Sequence, residues 1–181
     1  PFGHRLREDF LAGGTGEEPG QCLRRLRIPG GLEHTYARNR DQRPRIALAG
    51  ESAGGGLAVA TLVRLRDEGT PLPACVWCSS PWVDLENTGT TMTTKAAVDP
   101  LISKPYLNEL ASLYLQGASP RAPLASPMRA DLRGLPPMLI QVGSAETLLD
   151  DALRLAGVAA AADVRVSLQV WPEMIHAWHL F

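Results

Sequence analysis

Arg45-Ile46-Ala47-Leu48-Ala49-Gly50-Glu51-Ser52-Ala53-Gly54-Gly55-Gly56-Leu57-Ala58 is the stretch on which the reading of this chain turns. Its first five residues form a short apolar run behind Pro44, the pattern of a buried strand. Leu57, Ala58, Thr61, Leu62 and Leu65 then recur at helical spacing, and Gly69 follows as a stop. Between strand and helix stands G-x-S-x-G, the pattern of a nucleophile elbow. Glycines at 50 and 54 suit a sharp turn in which two backbone segments approach where a Cβ would clash. Such a turn lifts the Ser52 hydroxyl out of the sheet and aims the amide of Ala53 at the same point. The helix begins there, so its positive end faces any oxyanion that forms beside Ser52.

Three consecutive glycines at 54–56 open this helix, although each costs about 0.5–1 kcal/mol relative to alanine within a helix. Close packing on a sheet is the compensation expected for all three.

Working outward, 181 residues suit one α/β domain with a real core. A net charge of -1 gives no reason to invoke nucleic acid, and no apolar run reaches membrane-spanning length. No secretory signal opens the chain, which begins at Pro1, and this leads us to expect a fragment or a processed product. Three cysteines do not make a disulfide framework, so a reducing, cytoplasmic setting is expected. Residues 1–44 mix loop punctuation with arginines at 5, 7, 24, 25, 27, 38, 40 and 43 and interspersed acids, without a helical or strand period. They are expected to be a poorly structured or unrelated arm, and 45–181 the folded domain.

Beyond the first helix, expected over 53–68, Leu72 to Ser80 reads as a second strand. Its Cys75-x-x-Cys78 puts the two thiols on opposite faces, so buried packing is expected rather than a metal or redox site. Ser80-Pro81-Trp82-Val83-Asp84-Leu85 leads into a Thr/Gly-rich loop. Ser103-Lys104-Pro105 starts a helix that ends at Gly117, and the prolines of 117–137 predict an irregular surface connection. Met138–Val142 is a third strand, and Leu148 to Ala162 a helix with Asp150 and Asp151 in its first turn. Val164, Val166, Leu168 and Val170 alternate with polar residues, as in a strand with one wet face near a sheet edge. This alternation of strand and helix predicts an α/β fold, a mainly parallel sheet with helices on both faces.

In such a sheet, functional side chains gather beyond the carboxyl ends of the strands. Ser52, Glu146 and His176 each follow a predicted strand, in the order nucleophile, acid, base. Imidazole can take a serine proton near neutrality, and a carboxylate behind it fixes its tautomer. Asp150 and Asp151 compete with Glu146 but fall inside a helix. His179 competes with His176 but lies in the apolar run Ala177–Phe181, and Asp84 comes one strand too early to be the acid.

These stretches, with Leu135-Pro136-Pro137-Met138-Leu139-Ile140-Gln141-Val142-Gly143, Glu146-Thr147-Leu148-Leu149-Asp150-Asp151 and His176-Ala177-Trp178-His179-Leu180-Phe181, resemble the hormone-sensitive-lipase-like (family IV) bacterial esterases of the α/β-hydrolase fold. The resemblance covers about three quarters of the chain. It implies hydrolysis of small carboxylic esters through an acyl-enzyme, without metal or organic cofactor, by Ser52, His176 and Glu146, with Ala53 at the oxyanion.

Residues 1–44 lack the family's His-Gly-Gly loop: His4 has no glycines after it, and Gly13-Gly14 and Gly30-Gly31 have no histidine before them. The early strands, much of the cap and the last helix are likewise not recognised, so a truncated domain is expected. Loss of one oxyanion donor costs about 10²–10³ in rate, so weakened activity is expected. The alternative is a non-catalytic remnant that self-associates through an open sheet edge.

Overall fold

A computed structural model describes residues 46–181; the arm expected over 1–44 lies outside them. Four strands, β1 (Ala47–Glu51), β2 (Cys75–Ser79), β3 (Met138–Gly143) and β4 (Val166–Trp171), form one sheet in the order β1-β2-β3-β4. Every pairing is parallel, with Gly50 opposite Cys78, Cys78 opposite Ile140 and Ile140 opposite Leu168. Helix α1 (Ala53–Asp67) joins β1 to β2, and α4 (Leu149–Ala161) joins β3 to β4. The longer passage from β2 to β3 carries a four-residue α2 (Thr91–Thr94), α3 (Lys104–Leu115) and a 3-10 turn at Pro127–Arg129. No helix among the described residues is long and apolar enough to cross a membrane.

The main core lies on one face of this sheet. Val76, Cys78, Met138, Ile140 and Val142 meet Val59, Leu62 and Val63 of α1 and Ala152, Leu155 and Ala159 of α4. The alternation of strand side chains sends Ala47, Ala49, Cys75 and Trp77 to the other face, where they are exposed. Helices were expected on both faces; among the described residues the two long helices that flank the strands share one. For the same reason β1 is only half buried, in contrast to the fully buried strand its apolar run predicts. It is an outer strand of the four, with Ala47 and Ala49 on the face that α1 and α4 do not cover. The other outer strand, β4, shows the wet alternate residues Ser167 and Gln169 that its period of two predicts.

Residues 117–137 differ from the surface connection that their prolines predict. They are irregular, but Leu132 and Leu135 are buried in the main core and Ala125 in a second one. The prolines stop helix and strand formation without preventing burial, because Leu124, Leu132 and Leu135 supply apolar surface that must leave water. The second core gathers Trp82, Met92, Leu107, Ala111, Leu115 and Leu148, so it links α3 to the segments leaving β2 and β3. Ser103 caps α3 as expected, its hydroxyl accepting from the Tyr106 amide, and Gln116 ends it in the left-handed conformation.

Candidate active site

Ser52 lies between β1 and α1 with φ 53° and ψ -120°. A residue bearing a Cβ rarely holds a positive φ; doing so costs about 1–3 kcal/mol and persists only where the surroundings impose it. Here they do. The Ser52 amide donates to the Ser79 carbonyl at 2.9 Å, and its own carbonyl accepts from Gly55, Gly56 and Trp82. The turn also depends on Gly50, where an added Cβ would stand 2.1 Å from the Gly54 carbonyl oxygen. Gly55 and Gly56 permit close approach in the same sense, to Pro81 and to the Trp82 carbonyl. Gly54 does not, since a Cβ there meets nothing within 4 Å among the described residues. Ala53 is the first residue of α1, so its amide is among those that have no acceptor inside the helix.

Two loops bring the other groups. Glu146 lies between β3 and α4, His176 beyond β4, and backbone bonds stitch these loops together. Ser144 donates to the Trp171 carbonyl and Ala145 to that of Met174, each at 2.9 Å. Gly143 makes this possible, since a Cβ there would meet the Met174 oxygen at 2.1 Å. Ser52, Glu146 and His176, 124 residues apart at the extremes, therefore meet. His176 Nε2 lies 3.1 Å from Ser52 Oγ, and His176 Nδ1 lies 2.8 Å from Glu146 Oε2.

Glu146 is fully buried, and its acceptor capacity is well used. Oε1 accepts from the Gly143 amide at 2.5 Å and from the Ser80 hydroxyl at 2.8 Å, which leaves Oε2 for the imidazole. A carboxylate at Nδ1 fixes the proton on that nitrogen, so Nε2 presents a lone pair to the Ser52 hydroxyl. The arrangement can move a proton from Oγ to Nε2 while an electrophile approaches Oγ.

The competing acids point elsewhere. Asp151 Oδ2 accepts from the Val83 and Asp84 amides, both at 3.0 Å, and Asp150 accepts from Thr90 at 2.8 Å. Burial pushes the Asp151 carboxyl up to about 6, against the pull of the Val83 amide and Arg154. Asp84 is also buried, which pushes its carboxyl up. The Thr88 hydroxyl and amide and the Arg154 guanidinium outweigh this and hold it low. His179 contacts Ser79 through Nδ1 at 3.3 Å and packs its ring against Trp77 and Trp178. Cys75 and Cys78 lie on opposite faces, as their spacing predicts, but only Cys78 is buried; Cys75 is exposed, so the expected packing holds for one thiol of the pair.

Sequence reasoning missed several groups around this site. Ser80 holds Glu146 from the neighbouring strand, and its place just past the end of β2 was the available signal. Asp99 accepts both the amide and hydroxyl of Thr147, at 2.8 and 3.0 Å, and Thr91 donates to the Thr147 carbonyl at 2.7 Å. Glu51 occupies the unspecified position of G-x-S-x-G, which carries no signal of its own, yet its carboxylate lies beside His176.

A family model described as the alpha/beta hydrolase fold matches residues 32–180. An acetyl-hydrolase of Streptomyces hygroscopicus is 53% identical over 137 residues, 76% of this chain and 46% of that protein. A carboxylesterase/phospholipase of Mycobacterium tuberculosis, LipF, is 35% identical over 157 residues, 81% of this chain and 41% of its own length. Among solved structures, an esterase from the bacterial hormone-sensitive lipase family superposes with a TM-score of 0.75 at 52% identity, covering 83% of this chain and 53% of that one. The chain thus spans about half the length of the curated relatives it matches.

Proposed function

Because the chain belongs to the alpha/beta hydrolase fold family, we propose that it is a serine hydrolase that cleaves small carboxylic esters through an acyl-enzyme. The observation that carries this reading is the continuous relay from Ser52 Oγ through His176 to buried Glu146. Ser52 transfers its proton to His176 Nε2 as Oγ bonds to the ester carbonyl carbon, and the carbonyl electron pair moves onto oxygen. The Ala53 amide, at the positive end of α1, donates to that oxyanion. As the carbonyl re-forms, the alcohol leaves with the proton from Nε2. Water repeats the sequence on the acyl-enzyme, with His176 again as base, and frees the acid. Glu146 keeps the imidazole in the productive tautomer and balances its positive charge. The chemistry uses only these side chains, a backbone donor and water, with no metal or organic cofactor.

The similarity to an acetyl-hydrolase and an esterase favours short acyl groups. Two free thiols among the described residues fit a reducing, cytoplasmic setting. Treatment with a fluorophosphonate probe tests the mechanism: stoichiometric labelling of Ser52, abolished in Ser52→Ala and reduced at least a hundredfold in His176→Ala, is expected. Intact protein left unlabelled would remove the basis for this function. A second reading, a non-catalytic homologue that self-associates through an open sheet edge, is favoured by β1, an outer strand of the described sheet on which Ala47 and Ala49 are exposed. It predicts concentration-dependent sedimentation together with an unreactive Ser52.

A further inference from the structure

Glu51 ends β1 immediately before the proposed nucleophile, and its side chain is turned toward the base. Its Oε1 lies 3.3 Å from His176 Nε2, the nitrogen that also faces Ser52 Oγ at 3.1 Å. This oxygen is buried and has no hydrogen-bond partner among the described residues. A buried carboxylate oxygen without a donor is unfavourable, and such atoms in a folded protein call for a reason. Beside a neutral imidazole the contact is also repulsive, because the Nε2 lone pair faces negative charge. Once Nε2 carries a proton, the same contact becomes attractive.

We propose, building on the hydrolase reading, that Glu51 is a second carboxylate of the relay, a positioning residue that favours the imidazolium from the Nε2 side while Glu146 holds it from Nδ1. Glu51 takes no proton in this scheme. The proton passes from Ser52 Oγ to Nε2 and then to the departing alcohol, and Glu51 supplies charge that is unbalanced until Nε2 is protonated. Its neighbours fit the role. The titratable groups facing it are His176 and His179, beyond β4, and Glu146, beyond β3. Burial raises the Glu51 carboxyl, the two histidines pull it down and Glu146 adds to the rise. The site therefore holds two acids around one imidazole, and charge balance improves when that imidazole becomes cationic. Because the Glu51 side chain is 30% exposed, solvent moderates the effect, and the lower end of the usual range for a close charge pair applies.

The test replaces Glu51 by Gln, which keeps the shape and removes the charge, and by Asp, which keeps the charge. Fluorophosphonate labelling rates are measured from pH 4.5 to 9 on the full chain. In Glu51→Gln the acidic limb is expected to move to lower pH by about one unit, because the base no longer holds its proton as tightly, and the plateau to fall by up to about tenfold. Glu51→Asp is expected to keep the limb within a few tenths of a unit of the parent. In parallel, 15N-histidine spectra are recorded in a Ser52→Ala background, where no labelling is needed. There the His176 Nε2 signal is expected to titrate at lower pH in Glu51→Gln. Superimposable titrations of parent and Glu51→Gln, or equal shifts in the Gln and Asp variants, would overturn the proposal. Failure of the parent to label counts against the hydrolase reading alone, and the histidine spectra still decide the role of Glu51.

Discussion

The glycine triplet at the start of α1 offers a comparison in which three similar substitutions should give different results. Alanine at 54 adds a Cβ into open space and removes the excess backbone entropy of glycine from the unfolded chain. Position 54 is the second residue of α1, so the gain belongs at the low end of the helix range, about 0.5 kcal/mol. Alanine at 55 brings a Cβ to 2.8 Å from Pro81 Cβ and 3.0 Å from its Cα, an overlap that a small shift of the loop relieves at about 1–2 kcal/mol. Alanine at 56 is the severe case. Its Cβ would stand 2.1 Å from the Trp82 carbonyl oxygen, so that peptide must move by more than an ångström. The same segment donates Trp82 N–H to the Ser52 carbonyl and Val83 and Asp84 N–H to Asp151, all at 2.9–3.0 Å. Gly56→Ala is therefore expected to cost at least about 3 kcal/mol, the overpacking range plus strained bonds to a buried carboxylate. At about 2–4 °C per kcal/mol for a chain of this size, thermal unfolding should rank Gly54→Ala slightly above the parent and Gly56→Ala some 6–12 °C below it. Equal destabilisation at 54 and 56 would refute the packing argument, because nothing stands opposite residue 54.

Two further outcomes follow from the same geometry. Gly143→Ala would drive a Cβ into the Met174 carbonyl at 2.1 Å and toward Glu146 Oε1 at 3.1 Å, parting the acid loop from the base loop. Labelling of Ser52 should slow by about 10²-fold with little change in probe affinity, read from single-turnover kinetics. Asp151 has its carboxyl raised to about 6, so the folded chain retains a proton that the unfolded chain has already released. Its contribution is present below about pH 4 and is lost as pH rises through 6, at up to about 3 kcal/mol. Urea denaturation of Asp151→Asn, whose amide oxygen can still accept from Val83 and Asp84, should lack that decline; an unchanged pH profile would refute the assignment.

Much of this molecule was legible because local signals agree with its tertiary structure. The strand before Ser52, the helical spacing from Leu57 to Leu65 and the cap at Ser103 each read correctly to within a residue or two. Position after a strand also singled out Ser52, Glu146 and His176, the three side chains that meet. What escaped depends on neighbours far along the chain. The half exposure of β1 follows from its place in the strand order and from which face α1 and α4 cover, and periodicity encodes neither. The buried leucines at 132 and 135 were masked by prolines, which report backbone conformation and say nothing of depth. Gly54, Gly55 and Gly56 look alike in sequence, and only the path of Pro81 and Trp82 separates them. Ser80 and Asp99 contribute through hydrogen bonds to Glu146 and Thr147, far along the chain, contacts with no local periodicity.

The backbone of Ser52 carries one more consequence. With φ at 53°, the residue sits where only glycine rests comfortably, and the strand, the helix and three incoming amides hold it there. A screen that rewarded heat resistance alone would thus drift toward glycine at position 52 and discard the hydroxyl. Retaining serine there is costly to the folded state, so durability and reactivity pull this position in opposite directions.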